Sequence, residues 1–352
     1  MLDYCRSWVE HRTSDMDNFA SDIARSPALY AQKLDLERDS VFLIRLTEDQ
    51  YRAASFLDDR ILSPTIAGAW ASYADVEEAV RVAPAVRALH FIFHGGHVGS
   101  TLLSRLLDHV HGILNLREPL PLRTLADAHD ANDTRFDLYL DTFLRLWGRG
   151  FTQTATVVLK ATSTTGRLAP QLMAASAKSK AVYLNLRAEP YIVTLLAGAN
   201  AMIDLQGFGP ERLGRLTRFL GETPGTLQSL SPGELAAATW LAERLSQARA
   251  LQAVGPRMMA LDFDQMLGDL EGTLAKVFAH FDCDVPAQTV GAIARSPLLS
   301  RYSKAPEQYA YSPAMRTQLL AQARHEHSAE IRKGLKFLEQ LATRHEAVAA
   351  VL

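Results

Sequence analysis

Cysteine is nearly absent from this chain: Cys5 and Cys283 are its only two. Two thiols so far apart offer neither a disulfide framework nor a zinc cluster, and they are expected to be reduced. Long apolar runs are missing as well, so no stretch could form a membrane-spanning helix, which needs about 20 apolar residues. The opening MLDYCRSWVEHRTSD has acids and bases where a signal peptide would carry an apolar run, and a cytoplasmic protein is expected. Neither charge sign dominates: 37 Lys and Arg face 39 Asp and Glu. Without a basic tract or an aromatic-rich basic stripe there is no electrostatic case for a nucleic-acid partner. Any anionic ligand must therefore be held by local structure. The chain also has no internal repeat and no low-complexity tract, which excludes solenoids and arrays.

With 48% of 352 residues hydrophobic, the chain can bury one substantial core and a smaller accessory unit. Residues 1–85 read as the N-terminal accessory unit. Its segment before residue 40 is polar and helical in character. The run VFLIRL (41–46) reads as a strand, and Thr47 with Gln50 as a capping box for a helical pattern through Phe56, Leu57 and Ile61. From residue 86 the texture changes. Short apolar runs at 88–93, 112–116, 155–159, 181–186 and 257–263 alternate with amphipathic stretches at 100–110, 133–147, 166–178, 190–201 and 232–252. That alternation predicts an α/β fold: a central, mainly parallel sheet flanked by helices, with a mixed N-terminal extension and a helical C-terminal tail. Ser231, Pro232 and Glu234 mark a helix start. Residues 267–281 read as a further helix, 313–348 as one or two more, and 119–133 and 202–231 as loops. Trp147 and Trp240 belong either to the core or to a ligand cleft.

The segment HFIFHGGHVGSTLLSRLL (90–107) orders a strand, three glycines and an apolar helix. Gly95, Gly96 and Gly99 allow backbone N–H groups to turn inward around a phosphate, and Ser100 and Thr101 open the helix whose N-terminus adds unpaired donors. A plain structural turn would carry the same residues. A nucleoside triphosphatase loop would have Lys at position 100, and this chain has Ser100. His94, His97, His109 and His111 cluster in sequence, but no Cys or carboxylate stands at ligand spacing, and no metal is expected.

Gly99, Ser100, Thr101 and Leu102, preceded by His97 and Val98, resemble the phosphate loop of the sulfotransferase superfamily, in which His97 occupies the place of an Arg or Lys. Three further segments follow in that family's order. GILNLREPLPLR is similar to the stretch that carries a Glu general base in the protein-tyrosine sulfotransferases and their bacterial relatives, and the match falls on Glu118. Pro119 disfavours a helical backbone there and leaves Glu118 at a strand exit. ATVVLKATSTTGRL ends its strand in Lys160, which matches the cation that stabilises the transferring sulfonate. AVYLNLRAEPYIVTLL resembles the 3′-phosphate segment, with Arg187 matching its Arg and Thr194 one or two residues before its Ser. LDFDQML resembles the strand ending in an aromatic-acid pair, at Phe263 and Asp264, and SRYSKAP a late Ser-Lys loop, at Ser303 and Lys304.

What the resemblance implies is a P-loop fold over about residues 88–310. It also implies transfer of a sulfuryl group from 3′-phosphoadenosine 5′-phosphosulfate to a hydroxyl, or to an amine, with 3′-phosphoadenosine 5′-phosphate as the product and no metal. The catalytic residues would be Glu118, Lys160 and His97. The nucleotide would be held by Gly95, Gly96, His97, Val98, Gly99, Ser100, Thr101, Arg187, Thr194, Ser303 and Lys304. Two other readings stay open. One is a magnesium-dependent kinase with Thr101 and Asp264 at the metal, and the other a catalytically silent nucleotide-binding module of the same fold.

Overall fold

A computed structural model describes residues 22–81, 88–198, 201–300 and 312–352. The chain divides into two compact units, one formed by the chain up to Leu89 together with His111–Val157, the other by His90–Val110 with Val158–Leu352.

That first unit holds an antiparallel sheet of strands β1 (Leu29–Asp35), β2 (Ser40–Arg45) and β3 (Gly68–Ser72), in that order. The strand expected at 41–46 is β2. Of the stretch before residue 40, read as helical, residues 1–21 lie outside the described residues and 22–25 are helical, but Leu29–Asp35 forms β1: Leu29, Tyr30, Ala31 and Leu34 are buried and the strand pairs with β2 from Leu29↔Arg45 to Asp35↔Ser40. Tertiary pairing overrode a weak local pattern. The Thr47–Gln50 capping box is present, but its helix covers only Glu48–Ala53. Beyond it Asp58 caps a separate short turn at Asp59–Ile61.

Two buried arginines tie this unit together. Arg149 donates to the carbonyls of Ile23 at 2.6 Å, Leu146 and Ser26 at 2.8 Å, and Leu29 at 3.0 Å. Burial lowers its pKa to about 10, so it keeps its charge at neutral pH and the carbonyl dipoles replace its hydration. Arg117 ends β5 (Ile113–Arg117) and donates to the carbonyls of Tyr51, Arg52 and Ala54 at 3.2, 3.3 and 2.8 Å. Its neighbour Glu118 is thereby anchored at a strand exit. The stretch 119–133, read as a loop, is largely the helix Pro121–Asp130.

The five apolar runs form the parallel strands of one sheet, in the order β5, β6 (Thr156–Lys160), β4 (Ala88–His94), β7 (Ala181–Asn185), β8 (Met258–Asp262), and helices flank it. Within the second unit β7 pairs in parallel with β4 from Phe91↔Ala181 and with β8 from Ala181↔Met258. The Pro232–Val254 helix, with Ser231 and Glu234 in a capping box, packs against the helices Ala188–Ala197, Ala201–Leu220 and Ser328–Ala342. The second of these corrects the loop expected at 202–231. Gly207, Gly209, Pro210 and Gly214 weaken its local signal, and burial of Leu205, Leu213 and Leu216 with Arg212 and Arg215 makes it a helix. The helix expected at 267–281 is Leu270–His280, and a separate short helix, Phe263–Gly268, precedes it because Asp269 caps a fresh start through the Gly272 N–H at 2.9 Å. The tail is helical, at Pro313–Glu326, Ser328–Ala342 and Glu346–Ala349. Trp147 and Trp240 are buried core residues.

Candidate functional site

The loop leaves β4 with its first two amides already engaged. Gly95 N–H continues the ladder to the Leu184 carbonyl at 3.0 Å. Gly96 N–H donates to His94 Nδ1 at 3.0 Å, which leaves the ring proton on Nε2, donated to the Ala161 carbonyl at 2.8 Å. His94 therefore couples the loop to the residue that follows Lys160. Tyr191 adds a third tie by donating its hydroxyl to the Gly95 carbonyl at 2.5 Å.

Beyond Gly96 the backbone turns left-handed three times, at Gly96 (φ 83°), His97 (φ 54°) and Gly99 (φ 74°). Gly99 caps the Ser100–Leu107 helix without a side chain, and a Cβ there would lie 2.0 Å from the Phe263 ring, so only glycine fits. From His97 to Thr101 the N–H groups donate to no backbone carbonyl among the described residues. They are the unpaired donors of a helix start, and they suit an anion. Thr101 Oγ1 is buried and has no hydrogen-bond partner among the described residues. The amides left unclaimed among the described residues are thus those of His97, Val98, Gly99, Ser100 and Thr101, while those of Gly95 and Gly96 are spent within the protein.

Lys160 is buried at the end of β6. Arg187 caps the Ala188–Ala197 helix just past β7; it is exposed, and among the described residues its guanidinium makes no ion pair. Thr194 spends its hydroxyl proton on the Pro190 carbonyl at 2.7 Å. Ser303 and Lys304 lie outside the described residues. Asp264, needed by the magnesium reading, is held 2.9 Å from the Arg316 guanidinium.

Behind Gly96 lies a charge network that sequence reasoning missed. Arg212, 1% exposed, reaches Asp204 at 3.1 Å, Glu243 at 3.4 Å and Ser163 Oγ at 3.3 Å. Arg215 meets the same Glu243 at 2.9 Å, Ser246 Oγ at 2.7 Å and Glu211 at 3.0 Å. Arg167 stands 3.8 Å from Glu211. His97 Nε2 lies 3.7 Å from Asp204 Oδ2. Burial alone would raise the Asp204 pKa, but the His97 ring and the Arg212 charge hold it well below the usual carboxylate range. For Glu211, burial outweighs Arg215 and Arg167 and the pKa is raised. No motif announces this network, because its members come from positions 97, 163, 167, 204–215, 243 and 246.

In the other compact unit, Glu118 is the residue after β5, with left-handed φ of 55° and 8% exposure. The Arg60 and Arg123 guanidinia stand 3.9 and 3.8 Å from its Oε2, and both are bound more closely by Asp58, at 2.6 and 3.2 Å. Burial would raise the Asp58 pKa, yet the Arg60 hydrogen bonds and the Arg123 charge bring it below normal. Asp58, Arg60 and Arg123 were also missed from sequence.

No family model matches the chain, and no curated protein matches it. Solved structures do. A sulfotransferase domain from the curacin biosynthetic pathway is 12% identical, with a TM-score of 0.41, over 74% of this chain and 99% of that one. A mouse sulfotransferase complexed with PAP is 11% identical, with a TM-score of 0.41, over 76% and 89%. A sulfotransferase from Alicyclobacillus acidocaldarius is 16% identical, with a TM-score of 0.39, over 74% and 98%. All three are sulfotransferases. Among the described residues no helix is long and apolar enough to cross a membrane.

Proposed function

We propose that this chain is a sulfotransferase that moves a sulfuryl group from 3′-phosphoadenosine 5′-phosphosulfate to a hydroxyl-bearing acceptor. The observation that carries the reading is the loop itself. Its left-handed turns at Gly96, His97 and Gly99 lead into a helix start whose amides, like the buried Thr101 hydroxyl there, have no protein partner among the described residues. These groups fit a phosphate held without a lysine, and Arg187, exposed just past β7 and without an ion pair among the described residues, fits a second phosphate as a bidentate donor.

Bound donor nucleotide supplies the sulfuryl group, its phosphate leaving with the S–O electron pair as the acceptor oxygen bonds to sulfur. The amides of His97 to Thr101 hold the 5′-phosphate and Arg187 the 3′-phosphate. Lys160 sets a fixed positive charge against the oxygens that gain negative charge. Glu118 takes the proton of the acceptor hydroxyl. His97 takes the place of a basic residue at the loop and donates from its ring.

Thermal unfolding tests this reading. Adenosine 3′,5′-bisphosphate without magnesium should raise the melting temperature, whereas protection only by ATP with magnesium would replace the reading with a kinase. Glu118→Gln should cut turnover by about 10²- to 10⁴-fold and leave bisphosphate affinity unchanged; normal turnover would remove Glu118 from the mechanism.

A further inference from the structure

Ser163 is the first residue of a short 3₁₀ turn, three positions after Lys160, and is 8% exposed. Its Oγ lies 3.4 Å from the point a Cβ on Gly96 would occupy, with the Tyr191 hydroxyl 3.5 Å from the same point. The glycine therefore leaves open a small polar niche against the loop. Arg212 Nη2 donates to Ser163 Oγ at 3.3 Å. A guanidinium can only donate, so this bond fills one of the hydroxyl's acceptor lone pairs and leaves its proton for another group. Among the described residues that proton has no acceptor. The Tyr191 hydroxyl does not compete for it, because it is committed to the Gly95 carbonyl.

The rest of the surroundings shows why this hydroxyl is held still. Arg212 is itself fixed by Asp204 and Glu243, and Glu243 by Arg215. A guanidinium behind a hydroxyl polarises its O–H and strengthens it as a donor to an anion. A second polar atom near this loop, the buried Thr101 Oγ1, also has no protein partner among the described residues. Two side-chain hydroxyls with protons to give border one loop of unclaimed amides, which is what a tetrahedral oxyanion needs and a plain structural turn does not.

We infer that Ser163 is a further ligand of the anion in this loop, its hydroxyl donating to a phosphate or sulfonate oxygen beside Gly96. The inference rests on the nucleotide reading above and extends it by a residue outside the loop motif.

The test is calorimetric titration of the native chain and Ser163→Ala with adenosine 3′,5′-bisphosphate and with adenosine 3′-monophosphate, which lacks the 5′-phosphate. Melting temperatures of both proteins are measured alongside. A hydrogen bond to a charged group predicts that Ser163→Ala binds the bisphosphate about tenfold more weakly, binds the 3′-monophosphate as the native chain does, and melts within about a degree of it. Equal affinity of both proteins for the bisphosphate would overturn the role of Ser163 and leave the nucleotide reading standing. An equal loss for both nucleotides, or a clear fall in melting temperature, would make Ser163 structural and overturn its role too. Failure of the native chain to bind either nucleotide would overturn the nucleotide reading, and the inference with it.

Discussion

The glycine loop and the arginine network that reaches it handle charge in opposite ways. The loop carries almost no charged side chain and offers main-chain amides, whose geometry is set by Gly96, His97 and Gly99 in a run of four residues. The network buries full charges, Arg212 and Arg215 against Glu243 and Asp204, drawn from two helices. Among the described residues the loop's donors from His97 to Thr101 are unclaimed, whereas the network's are consumed by the protein. The first is suited to binding, and the second to keeping Ser163 and the loop's surroundings in one arrangement.

That contrast predicts where damage will appear. Glu243→Gln removes the carboxylate shared by two fully buried guanidinia. Breaking such a network costs about 3–5 kcal/mol, so chemical denaturation should show a large loss of stability; an unchanged midpoint would mean that the network is not a structural anchor. Gly99→Ala should come next. It places a Cβ at positive φ, 2.0 Å from the Phe263 ring, at a cost of about 2–4 kcal/mol in backbone strain and overpacking. It should also weaken bisphosphate binding by the folded protein more than Glu243→Gln does, since Glu243 reaches the loop only through Arg212 and Ser163. Arg187→Ala sharpens the comparison from the other side. As an exposed residue without an ion pair among the described residues, it should leave the stability within about 0.5 kcal/mol of native. Bisphosphate affinity measured by calorimetry should nevertheless fall by about 1.5–3 kcal/mol.

The smallest effect is expected at the other end of β4. His90 is buried against Phe281, and burial lowers its pKa to about 4. The native state therefore stays neutral there while the unfolded chain gains a proton below about pH 6.5. Stability falls as pH drops from about 6.5 toward 4 and the loss levels off below that, amounting to about 2 kcal/mol between pH 7 and 5. His90→Gln should lose correspondingly less over that interval; parallel pH profiles for the two proteins would exclude the assignment.

The parts of the fold that were legible in the sequence are those whose signal is local. Each apolar run became a strand, and Thr47 with Gln50 and Ser231 with Glu234 formed capping boxes. The loop could be located for the same reason, since positive φ demands glycine at fixed offsets. The boundary between amides that shape the turn and amides that face outward was not legible, because it depends on His94 and on the Leu184 carbonyl. Strand β1 and the Ala201–Leu220 helix were missed because their residues have weak local preference and are stabilised by partners far away in sequence.

By itself the amino-acid sequence determined an alternating α/β chain with a glycine loop at the exit of one strand, because periodicity, capping and backbone freedom are properties of neighbouring residues. Only the tertiary structure decided which hydroxyls and guanidinia meet at that loop. Arg212, Ser163 and Asp204 lie up to 49 positions apart, and what brings them together is the packing of buried side chains, where a charge taken out of water persists only beside its partner.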